Sequence, residues 1–335
     1  MLKMTLPTRR LTGLSLFAGL CAVLTGCVSV DLAALLEPRL EEVRLRKAAA
    51  WTPHKILVVD ISGFIGPEPN GQFSLINKCC PDAVTAMLKR AERDSAIKAV
   101  VLRIDTPGGG VAPTDMIHHE IRTFQRRTGR PVVAMIMGMG CSGGYYIANA
   151  ADAIFAHPSS VTGSIGVIAV FPRIKKLADK IGWEQTVIKS GRMKDIGNPL
   201  REMPDEERRI LQEMIDGFYG QFLDAVIAGR PKYHDRTALK PVADGRVYTA
   251  KQALEHGLID RIAYFDDVLA QAKEAAGIRN AHVIAYHYGR REDATVYSST
   301  SSRSPVRPLV NVDLQGLLGT PAVTGFHYLW MPGTP

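Results

Sequence analysis

The residue best placed to do chemistry is a serine in a glycine-rich run. Ser142 lies in Gly138-Met139-Gly140-Cys141-Ser142-Gly143-Gly144-Tyr145-Tyr146, directly after the apolar stretch 131–137. A strand, glycines, a small nucleophile and a helix-like segment (145–151) together lift a hydroxyl onto a sharp turn. The free N–H groups of such a helix start face a developing oxyanion. The same run satisfies both G-x-S-x-G and G-x-G-x-x-G. A dinucleotide fingerprint should follow the first strand and be trailed by an acid about 20 residues on. This turn follows the third expected strand, and residues 158–162 are Pro-Ser-Ser-Val-Thr, with no acid to hold a ribose. A hydrolase nucleophile is the better reading.

A serine hydroxyl needs a base. In the α/β-hydrolase order of Ser, then acid, then His, Asp195, Asp224 or Asp244 followed by His256 or His282 satisfies order alone. A lysine is the stronger candidate. Lys194 sits in Ser190-Gly191-Arg192-Met193-Lys194-Asp195-Ile196-Gly197, among small and apolar residues, directly after a sixth strand expected over 184–189. A lysine takes a proton only when neutral, so burial must overcome an ordinary pKa of about 10.4, at a cost of about 4 kcal/mol for function near pH 7. Ser164, in Thr162-Gly163-Ser164-Ile165-Gly166, is the candidate to hold the amine in orientation.

The elements that must position these groups alternate. Strands are expected over 56–61, 97–104, 131–137, 152–156 and 166–171, and helices over 83–93, 116–126 and 174–181. This alternation predicts a parallel sheet covered on both faces. A helix over 204–228 starts with Pro204 and three acids and carries the stripe Ile210, Leu211, Met214, Ile215, Phe218, Phe222 and Val226. It is expected to project and to make subunit contacts. Thr249-Ala250-Lys251-Gln252 is a capping box opening a further helix, and 266–276 is another. Leu32, Leu35, Leu36, Leu40 and Val43 give 28–52 helical spacing, read as an amphipathic linker.

The first 26 residues are a targeting segment. Lys3, Arg9 and Arg10 precede a short apolar stretch, 11–24, and then Leu24-Thr25-Gly26-Cys27, which resembles the lipobox of bacterial lipoproteins. The resemblance implies cleavage before Cys27, lipid on its sulfur, and a membrane-anchored protein facing the extracytoplasmic side of a bacterial cell envelope. The expected organisation is signal peptide 1–26, lipidated cysteine and linker 27–53, catalytic domain 54–290, and a Ser/Thr linker with a mixed tail over 291–335. The net charge of +8 contains no Lys/Arg stripe for nucleic acid. Of the five cysteines, Cys21 leaves with the signal and Cys27 would carry the lipid, so Cys79, Cys80 and Cys141 are left, an odd and poorly spaced set for a disulfide framework. No metal-ligand spacing occurs: His119-Glu120 starts an HExxH pattern, but Thr123 stands in place of its second histidine. No cofactor is expected.

Several motifs in order carry a family resemblance. They are Asp105-Thr106-Pro107-Gly108-Gly109-Gly110, the Ser142 elbow, Thr162-Gly163-Ser164-Ile165-Gly166-Val167, the Lys194 segment, and Ala243-Asp244-Gly245-Arg246-Val247-Tyr248-Thr249. Over about 54–275 the chain resembles the signal peptide peptidase A family, Ser/Lys serine peptidases of the ClpP/crotonase fold. The resemblance implies repeated β-β-α units with a largely parallel sheet and helices outside. By position it implies Ser142 as nucleophile, Lys194 as general base and Ser164 as its orienting partner. Gly143 and a glycine of the Gly108–Gly109 pair would supply oxyanion N–H groups. It also implies cleavage of residual signal peptides or other extended hydrophobic segments, and a homo-oligomeric ring or dome. The short, single-domain length resembles forms that provide both catalytic residues from one chain region. The related Ser/His/Asp triad has no base here, because no histidine falls between Pro158 and Tyr233. The rival readings are an α/β-hydrolase esterase, a crotonase relative handling acyl-CoA, and a noncatalytic binding lipoprotein.

Overall fold

The computed structural model describes residues 40–66, 78–288, 294–298 and 326–330, all within one compact unit, Leu40–Pro335. The signal, the lipobox, the first part of the linker and most of the Ser/Thr tail lie outside the described residues. In chain order, β1 (Leu40–Arg46), β2 (Lys55–Ser62), β3 (Phe64–Ile65) and β4 (Lys78–Cys79) precede α1 (Pro81–Arg93). β5 (Ile97–Thr106) and β6 (Gly108–Gly110) lead into α2 (Val111–Thr128), and β7 (Val132–Cys141) leads into α3 (Gly143–Ala148). β8 (Ala153–Ala156), β9 (Val161–Gly163), β10 (Ile168–Ala169), α4 (Lys175–Lys180) and a 3-10 turn, Arg192–Asp195, follow. The chain continues through α5 (Asp205–Gly229), α6 (Arg236–Leu239), β11 (Val247–Thr249), α7 (Ala250–His256), β12 (Arg261–Ile262), α8 (Phe265–Ala275), β13 (His282–Tyr288) and β14 (Phe326–Leu329).

The main sheet runs β1-β13-β2-β5-β7-β8-β12. Along this path it is parallel except at β1, which pairs antiparallel with β13; β9 branches from β7 in parallel and β11 pairs antiparallel with β9. The sequence explains why its centre is covered twice. β2, β5 and β7 are continuous buried runs rather than alternating ones. Their alternate side chains feed two cores. Leu57, Val59, Ile61, Val100 and Leu102 face one, and Ile56, Val58, Ala99, Val101 and Met135 face the other. Phe265, Val268 and Leu269 of α8 close the second core, while Ile117, Ile121 and Phe124 of α2 help close the first.

One charged pair interrupts this apolar centre. Asp60 and Arg103 face each other across β2 and β5, with side chains only 5% exposed. Arg103 Nη2 donates to Asp60 Oδ2 at 2.7 Å, and its other N–H groups reach the carbonyls of Val296 and Ser298. The pair therefore pins the segment 294–298 to the sheet. Arg103→Ala removes the cation facing a buried carboxylate and should cost about 3–5 kcal/mol. The check is a lowered urea midpoint at unchanged slope. The double variant Asp60→Leu/Arg103→Met should recover most of that loss, because an apolar pair of similar size is often no worse than a buried ion pair.

Three expectations change. Leu40 and Val43 do not continue a helical linker: they lie in the edge strand β1, which pairs along one side with β13. The strand expected over 166–171 shrinks to Ile168–Ala169. The sixth strand over 184–189 does not form: residues 183–189 have no regular structure and are exposed, because no strand edge pairs with them. The long helix is present as α5, 25 residues capped by Pro204. Its C-terminal half packs into the core through Phe222, Leu223 and Val226, while Met214 in its N-terminal half is 42% exposed.

Candidate active site

Ser142 is held in a strained turn between β7 and α3. Its φ of 51° and ψ of −113° lie in a region that non-glycine residues seldom adopt, at a cost on the order of 1–3 kcal/mol. Two hydrogen bonds fix the turn. The Ser142 N–H donates to Gly163 O at 2.8 Å, and the Tyr146 N–H donates to Ser142 O at 2.9 Å. The elbow helix is anchored through Tyr145, whose hydroxyl donates to Leu258 O at 2.7 Å, and Tyr146, which donates to Asp115 Oδ1 at 2.7 Å. The hydroxyl itself is left free: Ser142 Oγ is buried and has no hydrogen-bond partner among the described residues.

Strand register brings the second serine alongside. β9 joins β7 in parallel, with Cys141 opposite Gly163, so Ser142 and Ser164 are each the next residue beyond that pair. Ser164 is also buried at φ 51°, and its N–H donates to Arg246 O at 2.7 Å. The glycine-rich loop closes the other side. A Cβ on Gly108 would stand 2.8 Å from the Gly143 nitrogen, so the two expected oxyanion glycines meet. Gly144 packs so closely on the loop that a Cβ there would lie 2.6 Å from Thr106 Cγ2. The Gly108 N–H donates to Thr106 Oγ1 at 3.0 Å, a local bond that holds the loop in shape. Gly109 abuts β3, with the space of a Cβ filled by the Ile65 carbonyl.

Cys141, next to the nucleophile, is buried, and burial pushes its thiol up to about 12. It is a thiol rather than a thiolate at neutral pH and so a poor competitor for Ser142. The triad alternatives lose their acids. Asp195 is held far below the usual carboxylate range by Arg201 and Lys189. Arg236 lowers Asp224, and Arg246 lowers Asp244 to about 2. Each therefore pairs with an arginine rather than orienting a histidine. His282 lies on β13, where its Nδ1 accepts from the Ala48 N–H at 3.1 Å, and His256 packs edge-on to Tyr248.

Lys194 is not buried with these groups. It sits in the 3-10 turn Arg192–Asp195, its side chain is exposed, and its ammonium has no partner among the described residues. The expected apolar setting fails because the flanking 184–189 segment pairs with nothing. That whole strip is unusual: Ile174, Leu177, Ile181, Trp183 and Val187 are 40–70% exposed and Ile188 is 96% exposed.

The comparisons with known proteins fit this geometry. Peptidase family S49 matches residues 124–279, which contain Ser142, Ser164 and Lys194, and the Clp protease family matches residues 74–162. A signal peptide peptidase SppA candidate of Enterococcus faecium is 31% identical over 84% of this chain and 79% of that one. The chain belongs to peptidase family S49. Protease 4 of Salmonella typhi is 30% identical over 83% of this chain but only 43% of its own, longer chain. The chloroplastic serine protease SPPA of Arabidopsis thaliana is 35% identical over 56% of this chain and 28% of that one. This S49 chain is thus a serine-type peptidase on an α/β, Clp-like fold with a mostly parallel sheet. No helix among the described residues is long and apolar enough to cross a membrane.

Sequence reasoning missed the part of the site made by β14. The aromatic run Phe326-His327-Tyr328-Leu329-Trp330 is visible in the tail, but no spacing ties it to an elbow almost 190 residues earlier. The nearest signal was the glycine loop at 108–110, which allows a second backbone to approach. The backbone that approaches is the chain's own: the Tyr328 carbonyl oxygen lies 2.0 Å from where a Gly108 Cβ would sit.

Proposed function

We propose that this S49 peptidase is a lipid-anchored endopeptidase using a Ser142/Lys194 dyad. Ser142 Oγ attacks a peptide carbonyl, and Lys194 accepts its proton and returns one to the departing amine. Water then hydrolyses the acyl-enzyme. Gly143 and the Gly108–Gly109 loop stabilise the oxyanion, and Ser164 orients the amine. The observation that carries the reading is the strained, buried Ser142 hydroxyl beside the start of α3, without a hydrogen-bond partner among the described residues. The substrates are extended hydrophobic segments such as residual signal peptides, met at the extracytoplasmic face of the membrane where the lipid on Cys27 holds the enzyme.

The exposed lysine gives the proposal a second part: copies of the chain assemble, and assembly buries the apolar strip around Lys194 and seats its amine at Ser142. An exposed apolar patch of this extent marks an interaction surface. The test is specific activity on a hydrophobic peptide, measured during dilution alongside sedimentation. Activity should fall as oligomer gives way to monomer. A fully active monomer would remove the assembly, and a chain that hydrolyses no peptide in any state would remove the peptidase reading.

A further inference from the structure

Lys194 is followed by a carboxylate that two cations hold. The Asp195 side chain is only 12% exposed, although the 3-10 turn that ends with it lies among exposed residues. Arg201 grips it as a fork: Nε donates to Oδ2 at 3.0 Å and Nη2 to Oδ1 at 3.1 Å. The same Nη2 donates to the Asp195 main-chain carbonyl at 3.0 Å. Lys189 Nζ donates to Asp195 Oδ1 and to the Arg192 carbonyl at 3.0 Å. Main-chain carbonyls at both ends of the turn are thus held by side chains, which fixes its backbone as well as its carboxylate.

The ties lead to α5. Arg201 Nη2 also donates to Glu207 Oε1, and Glu207 is 3% exposed in the first turn of that helix. Its Oε2 accepts the Gly197 N–H at 3.4 Å. Arg192 Nη2 donates to Glu206 Oε1 at 2.6 Å, a further bond to the same helical turn. α5 is a firm support, because Phe222, Leu223 and Val226 pack its other half into the core. A buried carboxylate persists only where its charge is met, so Glu207 dictates where the Arg201 guanidinium sits. The planar guanidinium in turn dictates where Asp195 sits. Lys194 lies between these anchored residues, and none of these bonds engages its amine.

We propose that Arg201 is a positioning residue for the Lys194 base. It fastens the lysine turn to α5 through Asp195 and Glu207, so that the amine is presented at one place and in one direction to Ser142. The inference rests on the reading of Lys194 as the base. The chain before the turn gives no such support, since residues 183–189 have no regular structure. Loosening the turn should leave peptide binding almost unchanged and slow the chemistry, because a catalytic group misplaced by about 1 Å costs on the order of 10²-fold.

The test is the rate of fluorophosphonate labelling of Ser142 in the assembled full-length enzyme, with kcat and KM on a hydrophobic peptide. Arg201→Ala should slow labelling and kcat by ~10²-fold and leave KM within about twofold. Arg201→Lys should recover little, because an ammonium cannot reproduce the fork. Arg201→Ala leaves Glu207 buried without its cation, so the double variant Arg201→Met/Glu207→Gln, free of that charge, is measured beside it. It should assemble and be equally slow. In a Lys194→Ala background, Arg201→Ala should bring no further loss, because a residue that acts only through Lys194 has nothing left to act on. Three results overturn this inference alone: native labelling in an assembled Arg201 variant, a further loss in the Lys194→Ala background, or failure of both Arg201→Ala and the double variant to assemble. Native labelling in Lys194→Ala itself overturns the reading beneath it as well.

Discussion

Ser142→Ala should lower kcat on an extended hydrophobic peptide by at least ~10⁴-fold and leave the fold intact. Loss of a serine nucleophile removes the covalent route entirely, and what remains comes from oxyanion donors and binding. The folded protein should tolerate the change because Ser142 Oγ makes no hydrogen bond among the described residues whose loss would be felt. The turn is held instead by backbone bonds to Gly163 and Tyr146 and by the tyrosine anchors of α3, none of which the substitution touches. The measurement is kcat together with the urea midpoint. A variant that keeps a tenth of the activity, or that loses activity only by unfolding, would show that Ser142 has a structural role and no catalytic one.

Lys194→Ala should lower kcat by ~10³-fold, within the range for loss of a positioned base. Lys194→Arg should be equally poor, because a guanidinium stays charged and accepts no proton at any pH the fold survives. That comparison separates chemistry from charge. If Lys194 only supplied positive charge to an interface, arginine would restore activity. Sedimentation must show that the variants still assemble, since Lys194 lies in the strip with exposed Ile188 and Trp183.

The sheet and the elbow were legible because their signals are local. The continuous apolar runs of β2, β5 and β7 can only be strands buried on both faces, and glycines flanking Ser142 announce a turn that ordinary residues resist. Ser164 was legible as a motif, but its place beside Ser142 comes from the β7–β9 register, which no single segment encodes. The strand expected over 184–189 failed for the complementary reason: apolar content suggests a strand, yet a strand exists only where another edge accepts its backbone. Tyr328 was illegible because its pocket is assembled from α3, α5 and a strand contributed from the end of the chain.

The central claim is that the amine of Lys194 activates the hydroxyl of Ser142. Its most direct test is the rate of fluorophosphonate labelling in the assembled full-length enzyme, with the labelled residue identified by mass spectrometry. The account predicts rapid modification of Ser142 alone, slowed by orders of magnitude in both Lys194→Ala and Lys194→Arg. Equal labelling rates with and without the lysine, or a label found on another residue, would contradict it.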